Sequence, residues 1–591
     1  MKNEVKKEKP NDVKHLVKIF QYARPYKILA CCSFGITIAF AGLVPIRPWV
    51  TQHVFDHFIA TPNLHKLFTF TILLIFLLIL EGVFQFTDAL LSSKLGQCIV
   101  KDIRTDLYKN LLKRPIRFFD NTPNGTIITR LVSDIETIGD IFSQGLMVII
   151  GDLLKIVVII TVMASANGIL TLISLATLPI LMLATYWFKN AINITFNLVR
   201  TQVARLNTFV QEHLTGLFLI QVFNRENIDF EEFKSINQEH RDANIKSIWY
   251  YSLFFPVVEI LSSVSLGLLL WAGGFSYLKG VASLGQLISF IMYINMLFRP
   301  IRMLADRFNT LQMGIISSKR VFAWLETPTQ TLPSGQLSGN SILGNVAFEN
   351  VYFRYNQEDS TTGWILNNIS FQAPNGSVTA LVGETGSGKT SIINLLIRFY
   401  EFEQGRILID GSDIREYKVA DLRASIGIVT QDVFLFSDSI FNNIILGNPS
   451  CSKEDVIHAA KEIGAHSFIM NLPGGYDYQV KERGSSLSMG QRQLISFIRT
   501  FILNPRILIL DEATSSIDAE SEQLIQRATE RLMQNRTSIV IAHRLGTIKK
   551  ADQILVIHRG EIVEQGTHVE LLGRGGKYRK LFDSQFKEVN S

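Results

Sequence analysis

The residues with the clearest capacity for chemistry lie in GETGSGKTS, residues 383–391. A short apolar run, SVTALVG, leads into them, and a helical stretch, SIINLLIRF, leads out. Gly383, Gly386 and Gly388 allow the backbone to curl, so that N–H groups along Glu384, Thr385, Ser387 and Ser391 face phosphate oxygens. The following helix adds the positive end of its dipole. Lys389 would reach the β- and γ-phosphates, and Thr390 would offer its hydroxyl to Mg²⁺. A strand, a glycine-rich turn and then a helix is the context that makes this spacing a nucleoside-triphosphate site, a P-loop.

A second cluster supplies the other half of such a site. In RILILDEATSSID, the apolar run Ile507 to Leu510 predicts a buried strand that carries Asp511 to the same sheet edge as the P-loop. Asp511 is suited to hold Mg²⁺ through its water shell, and Glu512 to polarise an attacking water. Two surface carboxylates after a core strand would be the ordinary alternative, and the P-loop upstream argues against it.

Many NTPases share these parts. The discriminating segment is LSMGQRQL, residues 487–494, between the P-loop and the acidic pair. Here the sequence resembles the ABC transporter ATPase family, over essentially the whole C-terminal domain. The resemblance implies that Tyr355, in VYFRY, stacks on adenine. It implies that Gln431, in VTQDVFLF, touches Mg²⁺ and the membrane domain, that Asp518, in SSID, belongs to the D-loop, and that His543, in IAHRL, senses the γ-phosphate. Ser488, Gly490 and Gln491 match the signature that closes over the nucleotide of a second, head-to-tail domain. Ser488 and Gly490 fall at a helix N-terminus, which suits an anion. ATP and Mg²⁺ are thus the expected cofactors, and a second half-transporter is the expected partner.

One residue departs from the pattern: Met489 stands where the family signature LSGGQ has its first glycine. If its side chain points away, a homodimer is competent. If it obstructs the γ-phosphate, this signature completes the weaker of two sites. The chain would then supply Glu512 and His543 to the stronger one, and this heterodimer is the favoured expectation.

A site of this kind needs a sheet to hold it. From about residue 345, short β-runs alternate with helical stretches, which predicts an α/β P-loop NTPase domain over 345–591. Residues 326–344 read as a linker. The preceding 1–325 read as an α-helical polytopic membrane domain with six transmembrane helices, with apolar windows near 27–50, 67–91, 141–164, 169–188, 252–272 and 284–301. The 591-residue chain is 47% hydrophobic and 19% charged, with mean hydropathy +0.22, a balance rare in a soluble protein of this size. The charged N-terminus, MKNEVKKEKP, has no cleavable signal pattern, so the first window is expected to remain as a helix.

The net charge of +6 does not mark nucleic acid, because the Lys and Arg residues flank the apolar windows instead of forming one patch. They crowd the N-terminus and the segments after the second and fourth windows. Both termini and the ATPase are therefore expected in the cytoplasm, and the membrane is expected to be the bacterial cytoplasmic one. Cys31, Cys32, Cys98 and Cys451 are too scattered for a disulfide framework or a cysteine zinc site. Of the charges inside the windows, Asp152 and Lys155 are spaced to pair on one helix face and Arg47 and Asp88 read as interface residues, while Glu81 and Glu259, without an obvious local partner, are the better candidates for a polar translocation path.

The membrane half carries its own resemblance to ABC exporters. Residues 111–138, with Phe118, Phe119 and Asp120, resemble their first cytoplasmic loop, 212–226 the second, and 289–304 the last membrane helix. Such loops end in short coupling helices that rest on the ATPase domains. The resemblance implies an ATP hydrolase that exports small amphipathic compounds, with multidrug export as the first reading. Lipid or lipid-linked flipping and peptide export are alternatives, and an ATP-gated channel is a distant one. With the first window starting at residue 27, an N-terminal peptidase domain is not expected.

Overall fold

The computed structural model describes residues 12–59, 63–327, 335–339, 342–356, 363–448, 450–512, 519–542 and 544–586. The chain divides into two compact units, one of residues 1–112 and 123–328, the other of 113–122 and 329–591.

Six helical segments among the described residues of the first unit are long and apolar enough to cross a bilayer: Val17–Ile59, Leu64–Leu111, Asn124–Ala166, Gly168–Thr215, Glu226–Leu278 and Leu284–Ile301. Their exposed faces carry residues such as Phe68, Ile79 and Phe86, as contact with lipid requires. The second runs 48 residues, about 72 Å at 1.5 Å per residue, against a hydrocarbon core of about 30 Å. The charged stretches that the sequence marks as loops are thus largely continuations of the same helices. Each excursion turns through a short helix, Ile116–Asn121 in the first and Leu217–Val222 in the second. The third and fourth spans are joined at Asn167, whose side chain caps the next helix by accepting from the Leu170 N–H at 3.1 Å.

Several polar groups inside the spans are paired. Arg47 Nε lies 3.4 Å from Glu81 Oε1, joining the first and second spans. The same two spans are bridged by Thr37 Oγ1, which donates to Asp88 at 2.5 Å, and by a Ser33–Ser92 hydroxyl contact at 3.0 Å. Lys155 and Asp152 pair along their own helix at 3.3 Å, as their spacing predicts. The partner of Glu81 is not local: Arg47 stands 34 positions earlier, on another helix.

The second unit is built on two sheets. The antiparallel one has the order β2-β1-β4-β5, from β1 (Val346–Phe353), β2 (Leu366–Ala373), β4 (Gln404–Ile409) and β5 (Ser412–Asp413). The other has the order β10-β9-β3-β8-β7-β6. Its strands are β3 (Val378–Val382), β6 (Ile426–Val429), β7 (Ile507–Asp511), β8 (Thr537–Ile541), β9 (Gln553–His558) and β10 (Glu561–Gly566). All its pairings are parallel except β9 with β10.

Parallel strands covered on both faces need apolar residues at every position. In β7, Leu508 and Leu510 enter a core shared with helical residues such as Ile495 and Ile525, while Ile507 and Ile509 pack toward the antiparallel sheet with Phe348 and Ile407. Strands β3, β8 and β9 divide in the same alternation.

Candidate nucleotide-hydrolysing site

In an open parallel sheet, ligands bind beyond the carboxyl ends of the strands. Two of these ends are fixed at one level by β8, whose Ile541 pairs with Leu381 of β3 on one side and with Asp511 of β7 on the other. The chain leaving β3 is the glycine-rich loop, and the chain leaving β7 is Asp511–Glu512. The sheet register thus brings together two motifs more than 120 positions apart in sequence.

The loop requires its glycines for different reasons. Gly386 and Gly388 have φ of +83° and +109°, a region that side chains rarely adopt. At Gly383 a Cβ would lie 2.3 Å from the Ile557 carbonyl oxygen, so the constraint there is space. Lys389, 8% exposed, begins the following helix (Lys389–Leu396) and donates to the carbonyls of Gly383 at 2.7 Å and Glu384 at 2.9 Å. Two of an ammonium group's three donors thus brace the loop itself. Burial pushes the Lys389 amine below its ordinary value, and the Asp511 carboxylate opposes that shift.

The buried hydroxyl of Ser387 has no hydrogen-bonding partner, an orphan that a phosphate oxygen would satisfy. Thr390 and Gln431 follow the carboxyl ends of β3 and β6, and Asp511 is the last residue of β7. They offer the oxygen donors that a hard divalent cation takes. The residues present therefore fit Mg²⁺ with a triphosphate.

Glu512 is 7% exposed. Its N–H donates to Ile541 O at 3.2 Å, and its Oε1 accepts from Thr547 Oγ1 at 2.6 Å. Thr547 is a positioning residue that the sequence reading missed. Its only signal was a hydroxyl opening the helix Leu545–Lys550 four residues after His543. His543 and Asp518 themselves lie outside the described residues.

Tyr355 lies beside the P-loop helix, its hydroxyl 3.0 Å from Ser391 Oγ. The residue remains 38% exposed, which leaves surface for a base to stack on. Tyr400 meets it edge-on, 4.9 Å between centroids at 86°, and donates its hydroxyl to Asp120. Asp120 belongs to Ile116–Asn121, which lies within the ATPase's compact unit. In that segment Phe118 and Phe119 pack edge to face at 5.3 Å, with the Arg114 guanidinium 4.7 Å over Phe118. Burial and the Asp120 carboxylate both hold the Tyr400 phenol well above its usual range. Tyr400 was also missed, because one tyrosine after a helix carries no spacing signal.

The signature residues cap their own helix, Met489–Leu503. Ser488 Oγ accepts from the Gln491 N–H at 3.2 Å, and Gln491 Oε1 accepts from the Ser488 N–H at 3.0 Å. The cap uses only an acceptor position of the hydroxyl, so its O–H can still donate to a phosphate. Met489, the first residue of the helix, is half-buried, and Gly490 is buried.

Comparison with known proteins gives two matches in the order that these sites demand. Residues 31–301 match the family described as ABC transporter transmembrane region, and residues 366–515 match the family described as ABC transporter. Among curated relatives, a Streptococcus pneumoniae protein named as an ABC transporter ATP-binding protein, exp8, is 38% identical over 96% of this chain and 97% of its own length. An ATP-dependent lipid A-core flippase of Syntrophus aciditrophicus is 34% identical over 97% of this chain and 94% of its own. A Bacillus subtilis protein whose name assigns it to multidrug export, YgaD, is 34% identical over 96% and 99%. A solved structure of a bacterial Atm1-family ABC exporter with ATP bound aligns with a TM-score of 0.76 and 27% identity, covering 95% of this chain and 98% of that one.

Proposed function

This chain belongs to the ABC transporter family, with the membrane region and the ATPase of a half-transporter on one polypeptide, and we propose that it exports amphipathic compounds as one half of a heterodimer. It is an integral membrane protein that couples ATP hydrolysis to transport. The observation that carries the export reading is the fusion itself: six apolar spans precede a complete P-loop, signature and acidic pair in one chain.

Binding begins with the loop N–H groups and Lys389 on the triphosphate and Tyr355 on the base. Mg²⁺ would be held by Thr390, Gln431 and Asp511, and when bound it neutralises phosphate charge. Glu512, oriented by Thr547, accepts a proton from the attacking water. His543 and Asp518 act at the γ-phosphate and the dimer interface, roles supported by their place in the motif series. Two such domains meet head to tail, so Ser488, Gly490 and Gln491 of this chain close over the partner's nucleotide. The membrane domain is assigned to 1–325, the linker to 326–344 and the ATPase to 345–591. Both termini and the ATPase face the cytoplasm, and the membrane is the bacterial cytoplasmic one.

Met489 supports the heterodimer, since a bulky side chain at the signature weakens the site that it completes. Multidrug export is the leading substrate reading. Lipid flipping stands second, supported by the name of the Syntrophus relative. ATP-driven accumulation of drugs or labelled lipids in inverted vesicles tests both, with Glu512→Gln as control. A stable, drug-stimulated ATPase from this polypeptide expressed alone would overturn the heterodimer. Transport that survives Glu512→Gln in this chain would overturn the coupling to hydrolysis at its site.

A further inference from the structure

The nucleotide chemistry leaves one group of ligating side chains unused, at the elbow of the second helical excursion. His213 lies in the last turn of Leu178–Thr215, Asp229 in the first turn of Glu226–Leu278, and Glu232 one turn further on. Asp229 and Glu232, three apart, share a helix face. One ligand atom from each of the three residues lies within 4.8 Å of the other two. Asp229 is more than nine-tenths buried, while Glu232 is exposed.

The imidazole is oriented from outside this cluster. Its Nδ1 lies 2.9 Å from the Phe209 carbonyl oxygen, which can only accept, so in the neutral ring the proton sits on Nδ1. Nε2 therefore carries the lone pair, and it points to Asp229 Oδ1 at 3.9 Å. The Phe209 ring stacks on the imidazole, 3.7 Å between centroids, and fixes its plane. A backbone carbonyl holding the far nitrogen is the usual outer support of a metal-bound histidine.

We propose that His213, Asp229 and Glu232 form a site for a divalent transition-metal ion, with Zn²⁺ as the best chemical match. Imidazole with two carboxylates is a zinc donor set, and a water completes the tetrahedron. A nitrogen ligand disfavours Ca²⁺ and Mg²⁺, which take oxygen. Tetrahedral bonds of about 2 Å bring two ligand atoms to roughly 3.3 Å, so the approach needed from Asp229 is a small side-chain adjustment. The competing cation is Arg225, whose Nη2 lies 3.5 Å from Asp229 Oδ1. That contact is at the long limit of a hydrogen bond, and the arginine is largely exposed, so it can swing aside.

The ion would add a link at the turn end of two long helices that already pack along each other, through the Phe188–Phe254 stack at 3.9 Å and the Arg205–Glu239 pair at 2.8 Å. It would thereby fix the short helix Leu217–Val222, which exposes Phe218 and Leu219.

The test uses the full chain in lipid nanodiscs, purified without a histidine tag and stripped of metal. Zn²⁺ is titrated in competition with a chromophoric chelator, and Co²⁺ serves as the absorbing probe. The expected result is about one tight Zn²⁺ per chain, a tetrahedral Co²⁺ band, and a thermal shift with Zn²⁺ that Mg²⁺ does not give. His213→Ala and Asp229→Asn should each weaken binding more than about 100-fold, beyond the loss typical of outer-shell changes. Basal ATPase activity under a zinc-selective chelator checks that these variants fold. Should one fail to fold, the exposed Glu232→Gln replaces it and should weaken binding about tenfold. Zn²⁺ affinity unchanged in the folded variants, or no saturable binding by the parent chain, overturns the proposal.

Discussion

The nucleotide site and the polar pairs of the membrane spans solve one problem in opposite ways. Both hold charge away from water. At the nucleotide site the backbone does the holding: glycine conformations, a helix start and a strand register place Lys389 and Asp511. In the spans, side chains from different helices satisfy one another, as the Arg47 cation does the Glu81 carboxylate and the Thr37 hydroxyl does Asp88 by donating a hydrogen bond. Backbone placement demands particular residues at particular spacings. Side-chain pairing demands only complementary groups at matching depths.

The largest test of this contrast is Glu512→Gln. The amide keeps the size and loses the proton-accepting oxygen, so ATP turnover should fall by about 10²–10⁴-fold while nucleotide binding persists. Near-normal hydrolysis, with this chain supplying the only competent site, would falsify the assignment. In the spans, Arg47→Ala should cost about 1–3 kcal/mol, less than a fully buried pair, because both groups are partly exposed. Adding Glu81→Ala should restore much of that loss, since the cost lies in the stranded carboxylate. Thermal unfolding in nanodiscs reads both, and strictly additive losses would mean that the two residues are not a pair.

Thr547→Ala comes next. A hydrogen bond to a charged group contributes about 1.5 kcal/mol, so kcat should drop roughly tenfold with little change in KM. Serine should restore activity, and a rise in KM alone would instead assign Thr547 to binding. Tyr400→Phe should act more weakly. It removes the Asp120 bond but keeps the ring against Tyr355, so transport should decline more than basal ATPase activity. Equal loss of both would count against a coupling role for the Ile116–Asn121 segment.

The smallest effect is a pH dependence. The charged form of Lys389 binds phosphate, and burial lowers its pKa. Nucleotide affinity should therefore decline as pH rises through that lowered value, earlier than an exposed lysine would allow. Affinity measured from neutral to alkaline pH, by fluorescent nucleotide displacement, checks this. A flat profile up to the range of an exposed lysine would show that the amine is not desolvated.

Much of the molecule was legible because its demands are local or periodic. A bilayer imposes long apolar runs, and a doubly covered parallel strand imposes Ile507 to Leu510. A phosphate cradle imposes the glycines ahead of Lys389. The acidic pair could be read as a partner of the P-loop because the strand that ends in Asp511 is itself a recognisable pattern. Ser488 and Gln491 were legible for a reason that the resemblance did not state, since their spacing also builds a capping box.

What only the tertiary structure decided were contacts between segments far apart in the chain, made by side chains that carry no period. Glu81 gained its partner from the preceding span, Glu512 its orienting hydroxyl from Thr547, and Tyr400 its acceptor from Asp120, 280 positions away. His213 and Asp229 are closer in sequence but face each other only because two long helices fold back at one elbow. Sequence alone set where the helices cross, where the phosphate cradle lies and which carboxylates end the strand, because backbone geometry admits few residues there. It left those pairings open, because a flexible side chain can meet a complementary group from any segment that the fold brings near.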